Sequence, residues 1–143
     1  MFQKILPVFF LFILISACEK NYDRHNLILY DKPLPVIQSY IQGNWKLEYE
    51  KGGFCGRCVT YIPDFYWYFG PGDVVRQTYR DTLITDGSII WEWSKPSNFD
   101  ETYIMNFSDA RGYPCLYVVY ELKNDTLILA DAGSDPMFYY LTK

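Results

Sequence analysis

Hydrophobic and polar residues alternate with a period of two over most of the chain after residue 41. The first such run places three apolar residues on one face and three charged residues on the other: Trp45, Leu47 and Tyr49 against Lys46, Glu48 and Glu50. This alternation is typical of a β-strand with one buried face. Helical spacing is nowhere sustained beyond the first residues, so the pattern predicts an all-β fold.

The alternating runs are short, and turn residues separate them. They cover residues 65–69, 74–79, 82–85, 88–95, 102–107, 116–122, 126–130 and 137–142. About eight or nine short strands within roughly one hundred residues are typical of an antiparallel up-and-down barrel or a sandwich. Asp86-Gly87, between two alternating runs, predicts a hairpin turn.

The beginning of the chain has the pattern of an export signal. Lys4 precedes an apolar run at 5–15 that is too short to span a bilayer as a stable helix, and small residues follow it. The segment 15–18, Ile-Ser-Ala-Cys, resembles the bacterial lipobox, which implies cleavage before Cys18 and acylation of its sulfur. The resemblance implies a lipoprotein attached to a membrane, with the outer membrane of the cell envelope as its expected location. An ordinary secretory signal with an incidental cysteine is the alternative.

The sequence therefore divides into three parts: a signal peptide at 1–17, the lipidated Cys18 and a tether at 18–39, and a domain at 40–143. The tether mixes charges with prolines and lacks a sustained period. Its apolar run 27–30 is expected to add a short strand or to dock on the domain. Pro35 and the residues after it predict one helical turn leading into the domain.

Two segments of the domain carry a resemblance to a known family. Gly43-Asn44-Trp45 at the start of the first strand looks like the Gly-x-Trp signature of lipocalins, and residues 125–129 with the final aromatic strand resemble the end of short lipocalin-like lipoproteins of Bacteroidetes-type bacteria. The resemblance implies an antiparallel, up-and-down, eight-stranded barrel. Many lipocalins place a basic residue over the signature Trp, and Lys143 is the only late candidate here.

Aromatic residues make up 20% of the chain, and five of them are candidate contacts for a small apolar or amphipathic ligand: Trp45, Trp67, Trp91, Trp93 and Tyr103. Packing of the same side chains in a filled barrel is the alternative, because a pocket and a core use the same residue types.

Three cysteines remain besides Cys18, and export favours their oxidation. A bridge between Cys55 and Cys58 is one alternative, and a bridge from either of them to Cys115 is another. The Cys-x-x-Cys spacing also occurs at redox sites, but those need a helix N-terminus, which the predicted strands do not supply. Without a nearby His, three sulfurs make a poor zinc site, so we expect no metal.

The remaining inventory argues against several functions. The formal charge of −4, with no basic cluster, makes a nucleic-acid partner unexpected. The single His, His25, lies in the tether, so His-based catalysis within the domain is excluded. Most carboxylates flank predicted turns, and no cofactor-binding motif is present. We therefore expect no enzyme, no catalytic residue and no cofactor.

Two functions remain from the sequence. The first is a lipid-anchored, lipocalin-like protein that binds a small apolar or amphipathic molecule in the cell envelope. The second is a protein-interaction module, such as a hydrolase inhibitor, with a filled barrel and contacts from residues 55–61 and 111–114.

Overall fold

A computed structural model describes residues 26–143 of the chain. The predicted signal peptide 1–17, Cys18 and His25 lie outside the described residues. The elements are β1 (Asn26–Ile28), α1 (Leu34–Ile41), β2 (Gly43–Gly52), a 3-10 turn (Gly53–Cys55), β3 (Val59–Tyr61), β4 (Phe65–Gly70), β5 (Val74–Tyr79), β6 (Thr82–Ser88), β7 (Ile90–Ser94), β8 (Thr102–Ser108), β9 (Pro114–Lys123), β10 (Thr126–Asp131) and β11 (Met137–Thr142). None of the described helical segments has the length and apolar character to cross a membrane.

All the strands belong to one antiparallel, curled sheet. Its main path runs β6-β5-β4-β2-β11-β10-β9-β8-β7, and β1 and β3 attach to β9 and β2. The last strand, β11, pairs with β2, so the two ends of the meander meet. The prediction of an antiparallel all-β fold is confirmed, and the sheet is barrel-like.

The turn predicted at Asp86-Gly87 is not a turn. Both residues lie within β6 and pair with β5, where Asp86 also receives a hydrogen bond from the Arg76 Nε at 3.0 Å. The chain reverses instead at Arg80 and Asp81, which take the positive φ values of 47° and 62° that a tight hairpin needs. The extended pairing with β5 thus overrides the local preference of an Asp-Gly pair.

Between β6 and β7 the chain passes from one edge strand of the sheet to the other. Only Ile89 separates the two strands, and its N–H donates to the Asp73 carbonyl at 2.7 Å. Since β6 pairs with β5 while β7 pairs with β8, this single buried residue turns the chain from one part of the curled sheet to the other.

A β-bulge in β2 reverses the faces predicted for two residues. Leu141 of β11 pairs with Leu47, but its neighbour Tyr140 pairs with Tyr49, so one residue of β2 is extra. Beyond the bulge Tyr49 stacks on Tyr140 outside the sheet, with ring centroids 4.3 Å apart. Glu50 moves to the inner side opposite Tyr139. The prediction that Tyr49 faces the core and Glu50 the solvent is therefore wrong.

The main core fills one end of the curled sheet, called the closed end below. Trp45 is 1% exposed, and its Nε1 donates to the Ile41 carbonyl at 2.6 Å, which joins α1 to β2. The buried Ile37 and Ile41 cover this end from α1, which has eight residues rather than the single turn predicted. Lys143 completes the end, with its Nζ 4.8 Å from the centroid of the Trp45 ring.

The segment before α1 is attached to the sheet. β1 pairs antiparallel with the end of β9, and Leu27 and Leu29 are buried. Thr102 Oγ1 also donates to the Tyr30 carbonyl at 2.6 Å. The apolar run 27–30 does add a short strand, as the sequence predicts.

Candidate functional site

The edge of the sheet opposite the closed end is where β2 ends and β11 begins, and it is called the rim below. The antiparallel pairing places four connections there: β2 to β4, β5 to β6, β8 to β9 and β10 to β11. In barrel-like sheets the loops at one end commonly surround a binding cavity. The rim is therefore the expected position of a binding site.

A cavity of about 460 Å³ lies on the inner side of the sheet just below the rim. Its lining combines apolar and aromatic side chains with a few polar groups: Glu50, Phe65, Trp67, Gln77, Ile84, Thr85, Asp109, Ala110, Arg111, Tyr117 and Tyr139. Small-molecule sites have this composition, mainly apolar with a small number of oriented polar groups.

Trp67 separates the cavity from the core. It is 1% exposed and packs against Phe107, Tyr117 and Tyr139, with ring centroids 6.1, 5.3 and 6.4 Å away. Its indole Nε1 is the one fully buried side-chain nitrogen or oxygen in the described residues that has no hydrogen-bond partner. Because an unsatisfied buried donor costs roughly 1–3 kcal/mol, an acceptor that reached the Trp67 N–H would form a favourable hydrogen bond.

Glu50 and two tyrosines provide the polar side of the cavity. Burial raises the pKa of the half-buried Glu50 carboxyl. Burial likewise raises the pKa of Tyr117 and of Tyr139, and the nearby Glu50 charge adds to the rise for Tyr139. Both phenols are therefore neutral donors and acceptors at physiological pH.

Two further polar side chains of the lining, Thr85 and Gln77, form a hydrogen bond with each other. Thr85 Oγ1 donates to Gln77 Oε1 at 2.7 Å, and both side chains are buried. This cross-strand hydrogen bond between β5 and β6 keeps the amide of Gln77 oriented at the wall of the cavity.

Asp109 and Arg111 stand at the mouth of the cavity, in the connection from β8 to β9. Arg111 reaches the Asp109 carboxylate at 3.3 Å with its Nε and Nη2, and its guanidinium lies over the Tyr113 ring. The backbone N–H groups of Tyr113 and Arg111 also donate to Asp109, and the first of these is the largest cause of its lowered pKa. Asp109 therefore stays ionised and largely balances the charge of Arg111.

The structure separates the five predicted ligand contacts. Trp67 lines the cavity, whereas Trp45 lies in the core at the closed end. Trp91 donates its Nε1 to the Asp73 carboxylate at 2.8 Å, near the closed end. The exposed Trp93 packs edge-on against Tyr103, with ring centroids 4.9 Å apart.

The three described cysteines divide into a pair and a single thiol. Cys55 and Cys58 lie at disulfide distance, with Cα atoms 5.5 Å apart, and close the turn after β2. Cys115 on β9 is unpaired among the described residues, and burial is the largest cause of its raised pKa. The thiol is consequently protonated and weakly nucleophilic at neutral pH.

Sequence reasoning missed most of the polar cavity residues. Tyr117 and Tyr139 belong to predicted strands, and each lies two residues before a buried apolar residue, Val119 or Leu141, which was the available signal. Glu50 carried no such signal, because only the bulge brings it inside. Within residues 26–143 there is no group of three or more His, Cys, Asp or Glu side chains placed to hold a metal ion.

These features define an all-β protein whose curled antiparallel sheet encloses a core at one end and a partly polar cavity below the opposite rim. No protein-family model matches the chain, and no match was found among curated proteins or solved structures.

Proposed function

We propose that this protein binds a small amphipathic molecule in the cavity beside Trp67. The observation that carries the proposal concerns Trp67, which lines a cavity of about 460 Å³ and whose buried indole N–H has no acceptor among the described residues. The apolar body of such a ligand would cover the aromatic wall, and an oxygen acceptor, where the ligand carries one, would accept this hydrogen bond. Burial of the apolar body would contribute most of the binding free energy, and the hydrogen bond from the N–H would orient the ligand.

The proposed fold is an eight-stranded lipocalin-like barrel. If β6 and β7 are counted as one strand bent at Ile89, the circuit β2, β4, β5, β6–β7, β8, β9, β10 and β11 has eight strands, each paired with the next. The contact of Trp45 with Ile41 and Lys143 at the closed end also supports this assignment.

The proposed setting is the cell envelope, with the protein held to the outer membrane by lipid on Cys18. The described chain enters at Asn26, which pairs with Lys123 at the closed end of β9. The cavity mouth, with Asp109 and Arg111, lies at the opposite rim. An anchor ahead of Asn26 would therefore leave the mouth open to the aqueous side.

Calorimetric titration of the purified protein with 1-octanol, octylamine, a fatty acid, a bile acid and haem tests the binding proposal. We expect at least one of them to bind, with a lower affinity in Trp67→Phe. That variant keeps an aromatic ring but loses the N–H, so the affinity should fall roughly two- to twelve-fold, which corresponds to about 0.5–1.5 kcal/mol for a hydrogen bond.

Trp93→Phe is the matched control, because Trp93 is exposed and does not line the cavity. Its affinity should equal that of the unaltered protein. The proposal is wrong if none of the ligands binds, or if Trp67→Phe and Trp93→Phe bind equally well.

A second candidate function is binding of a protein partner at the rim. Phe54 is fully exposed on the 3-10 turn closed by Cys55 and Cys58, and the rim also exposes Tyr61 and Tyr113. A rigid, solvent-facing aromatic side chain is the type of group that anchors protein interfaces. A hydrolase whose active-site cleft accepts such a loop fits this surface.

Affinity capture from periplasmic and host extracts tests the second candidate. We expect one stoichiometric partner that is retained by the unaltered protein and lost with Phe54→Ser. Ile90→Ser removes a similarly exposed apolar side chain of β7, a strand that takes part in none of the four rim connections, and should keep the partner. Equal capture by both variants would contradict a role for the rim.

A further inference from the structure

The balance of charge around the cavity is negative. Glu50, Asp109 and Arg111 are the charged side chains that line it. Arg111 is ion-paired with Asp109 and its side chain is 79% exposed, so its charge is both balanced and hydrated. Glu50 remains as the one carboxylate of the lining without an ion-pair or hydrogen-bond partner in the described part of the chain.

The environment of Glu50 suits a cation. Burial removes water from its carboxyl and raises its pKa, and within the described residues no positive group offsets this cost. A ligand cation beside it would replace the lost hydration with a direct charge pair. Since the pair would form in a partly desolvated cavity, it would be stronger than an exposed pair.

The aromatic wall adds a second attraction for a cation. Four aromatic rings line the cavity: Phe65, Trp67, Tyr117 and Tyr139. The ring centroids of the other three lie within 6.4 Å of the Trp67 ring centroid. The π-face of an aromatic ring attracts a cation within about 6 Å, most strongly for Trp. A carboxylate next to several aromatic rings is a combination that recognises organic ammonium groups.

We propose that the cavity selects a protonated organic amine with an apolar body, whose ammonium group pairs with Glu50 against the rings of Trp67, Tyr117 and Tyr139. This inference rests on the proposed function, because it names the ligand class of the same cavity. At the mouth of the cavity, the ion pair with Asp109 balances the charge of Arg111. The interior of the cavity therefore carries no net positive charge.

Three probes with one apolar body and different head groups test the proposal: octylamine, 1-octanol and octanoate. Each is titrated calorimetrically into the purified protein at neutral pH. We expect octylamine to bind about ten-fold or more tightly than 1-octanol, and octanoate to bind most weakly, because close charge pairs in a partly dry site contribute on this scale.

Glu50→Gln keeps the shape of the side chain and removes its charge. It should weaken octylamine binding about ten-fold and leave 1-octanol unchanged. Glu48→Gln is the matched control, since Glu48 lies two residues away on the same strand, does not line the cavity and pairs with Lys46. It should leave the affinities for all three probes unchanged.

The outcomes separate this inference from the proposed function. If 1-octanol and octanoate bind as tightly as octylamine, the amine preference is wrong while the cavity remains a binding site. If octanoate binds most tightly and loses affinity in Arg111→Gln, the cavity selects anions at its mouth. If no probe binds, and the fatty acid, bile acid and haem also fail to bind, the proposed function and the amine preference are both wrong. The comparison of head groups uses the unaltered protein, so it does not depend on the folding of any variant.

Discussion

Glu48 and Glu50 are near neighbours in β2 with opposite surroundings. Glu48 faces outward, and its carboxylate accepts hydrogen bonds from Thr142 at 3.0 Å and from Lys46 at 3.2 Å, which lower its pKa. Glu50 faces the cavity, and burial raises its pKa. Because the bulge lies between Leu47 and Tyr49, Glu48 and Glu50 face opposite sides of the sheet, and their pKa values are shifted in opposite directions.

The contributions of Glu48 and Glu50 to the free energy of unfolding should therefore change in opposite directions as the pH rises. The raised pKa of Glu50 favours folding at acidic pH, and this contribution is lost as pH rises through the raised value. Glu50→Gln should be more stable than the unaltered protein at neutral pH, and the difference should disappear below the ordinary pKa of Glu. Denaturant unfolding over a pH series measures it.

Glu48→Gln is expected to behave in the reverse manner. The lowered pKa of Glu48 stabilises the folded state above the ordinary pKa of Glu, and this stabilisation is lost as pH falls through the lowered value. The variant should be less stable than the unaltered protein at neutral pH only. The same sign of change in both variants would contradict the opposite placement of the two side chains.

At the level of the elements, the end of β2 depends on a glycine. Gly52 has φ +118° and ψ −140°, and a Cβ there would lie 2.6 Å from the Pro136 carbonyl oxygen in the connection between β10 and β11. Few other residues adopt this backbone conformation. Gly52 thus lets β2 approach the neighbouring connection closely and start the turn that carries Phe54.

Gly52→Ala should destabilise the protein by roughly 1–3 kcal/mol, through backbone strain and the clash with Pro136. Gly56→Ala is the matched comparison, because Gly56 also has a positive φ, +62°, but open space around its Cβ position. It should cost only about 1 kcal/mol. Equal midpoints of thermal unfolding for the two variants would contradict the close approach at Gly52.

The helix α1 makes a different contribution, since it covers the core at the closed end. Ile37 is fully buried there, whereas Ser39 two residues later is exposed. Ile37→Ala should cost about 2–5 kcal/mol of unfolding free energy, because it removes buried methyl groups and leaves a cavity. Ser39→Ala should have an effect within about 0.5 kcal/mol. Denaturant titration of both variants checks the comparison, and a small loss for Ile37→Ala would mean that α1 does not seal the core.

At the level of the whole molecule, the described residues begin at the closed end of the sheet, opposite the cavity mouth, and the proposed lipid anchor precedes them in the sequence. Cys18→Ser should abolish incorporation of labelled palmitate and move the protein from the membrane fraction to the soluble fraction, because the acylated sulfur is lost. Cys115→Ser is the control and should keep both the label and the membrane association. Palmitate labelling that persists in Cys18→Ser would show that the lipobox resemblance is misleading.

Particular residues show how far the sequence leads and where it stops. The alternation at Trp45 and Leu47 correctly predicts a strand with a buried face, and the run 27–30 correctly predicts an added strand. The same alternation fails at Tyr49 and Glu50, since a single extra residue shifts every later side chain to the other face. Asp86-Gly87 fails because long-range pairing with β5 overrides a local turn preference.

Strand positions and the all-β class depend on a periodicity that the chain carries locally, and residue order alone was sufficient to predict them. The composition of the cavity depends on register between strands distant in sequence, and the β2 bulge is visible only where Leu47 and Tyr49 meet Leu141 and Tyr140. Tertiary structure therefore decided that Glu50 lies inside, that Trp67 lines the cavity and that Trp93 lies outside. Pairing between β2 and β11 is a cooperative property of the folded sheet, and no single segment encodes it.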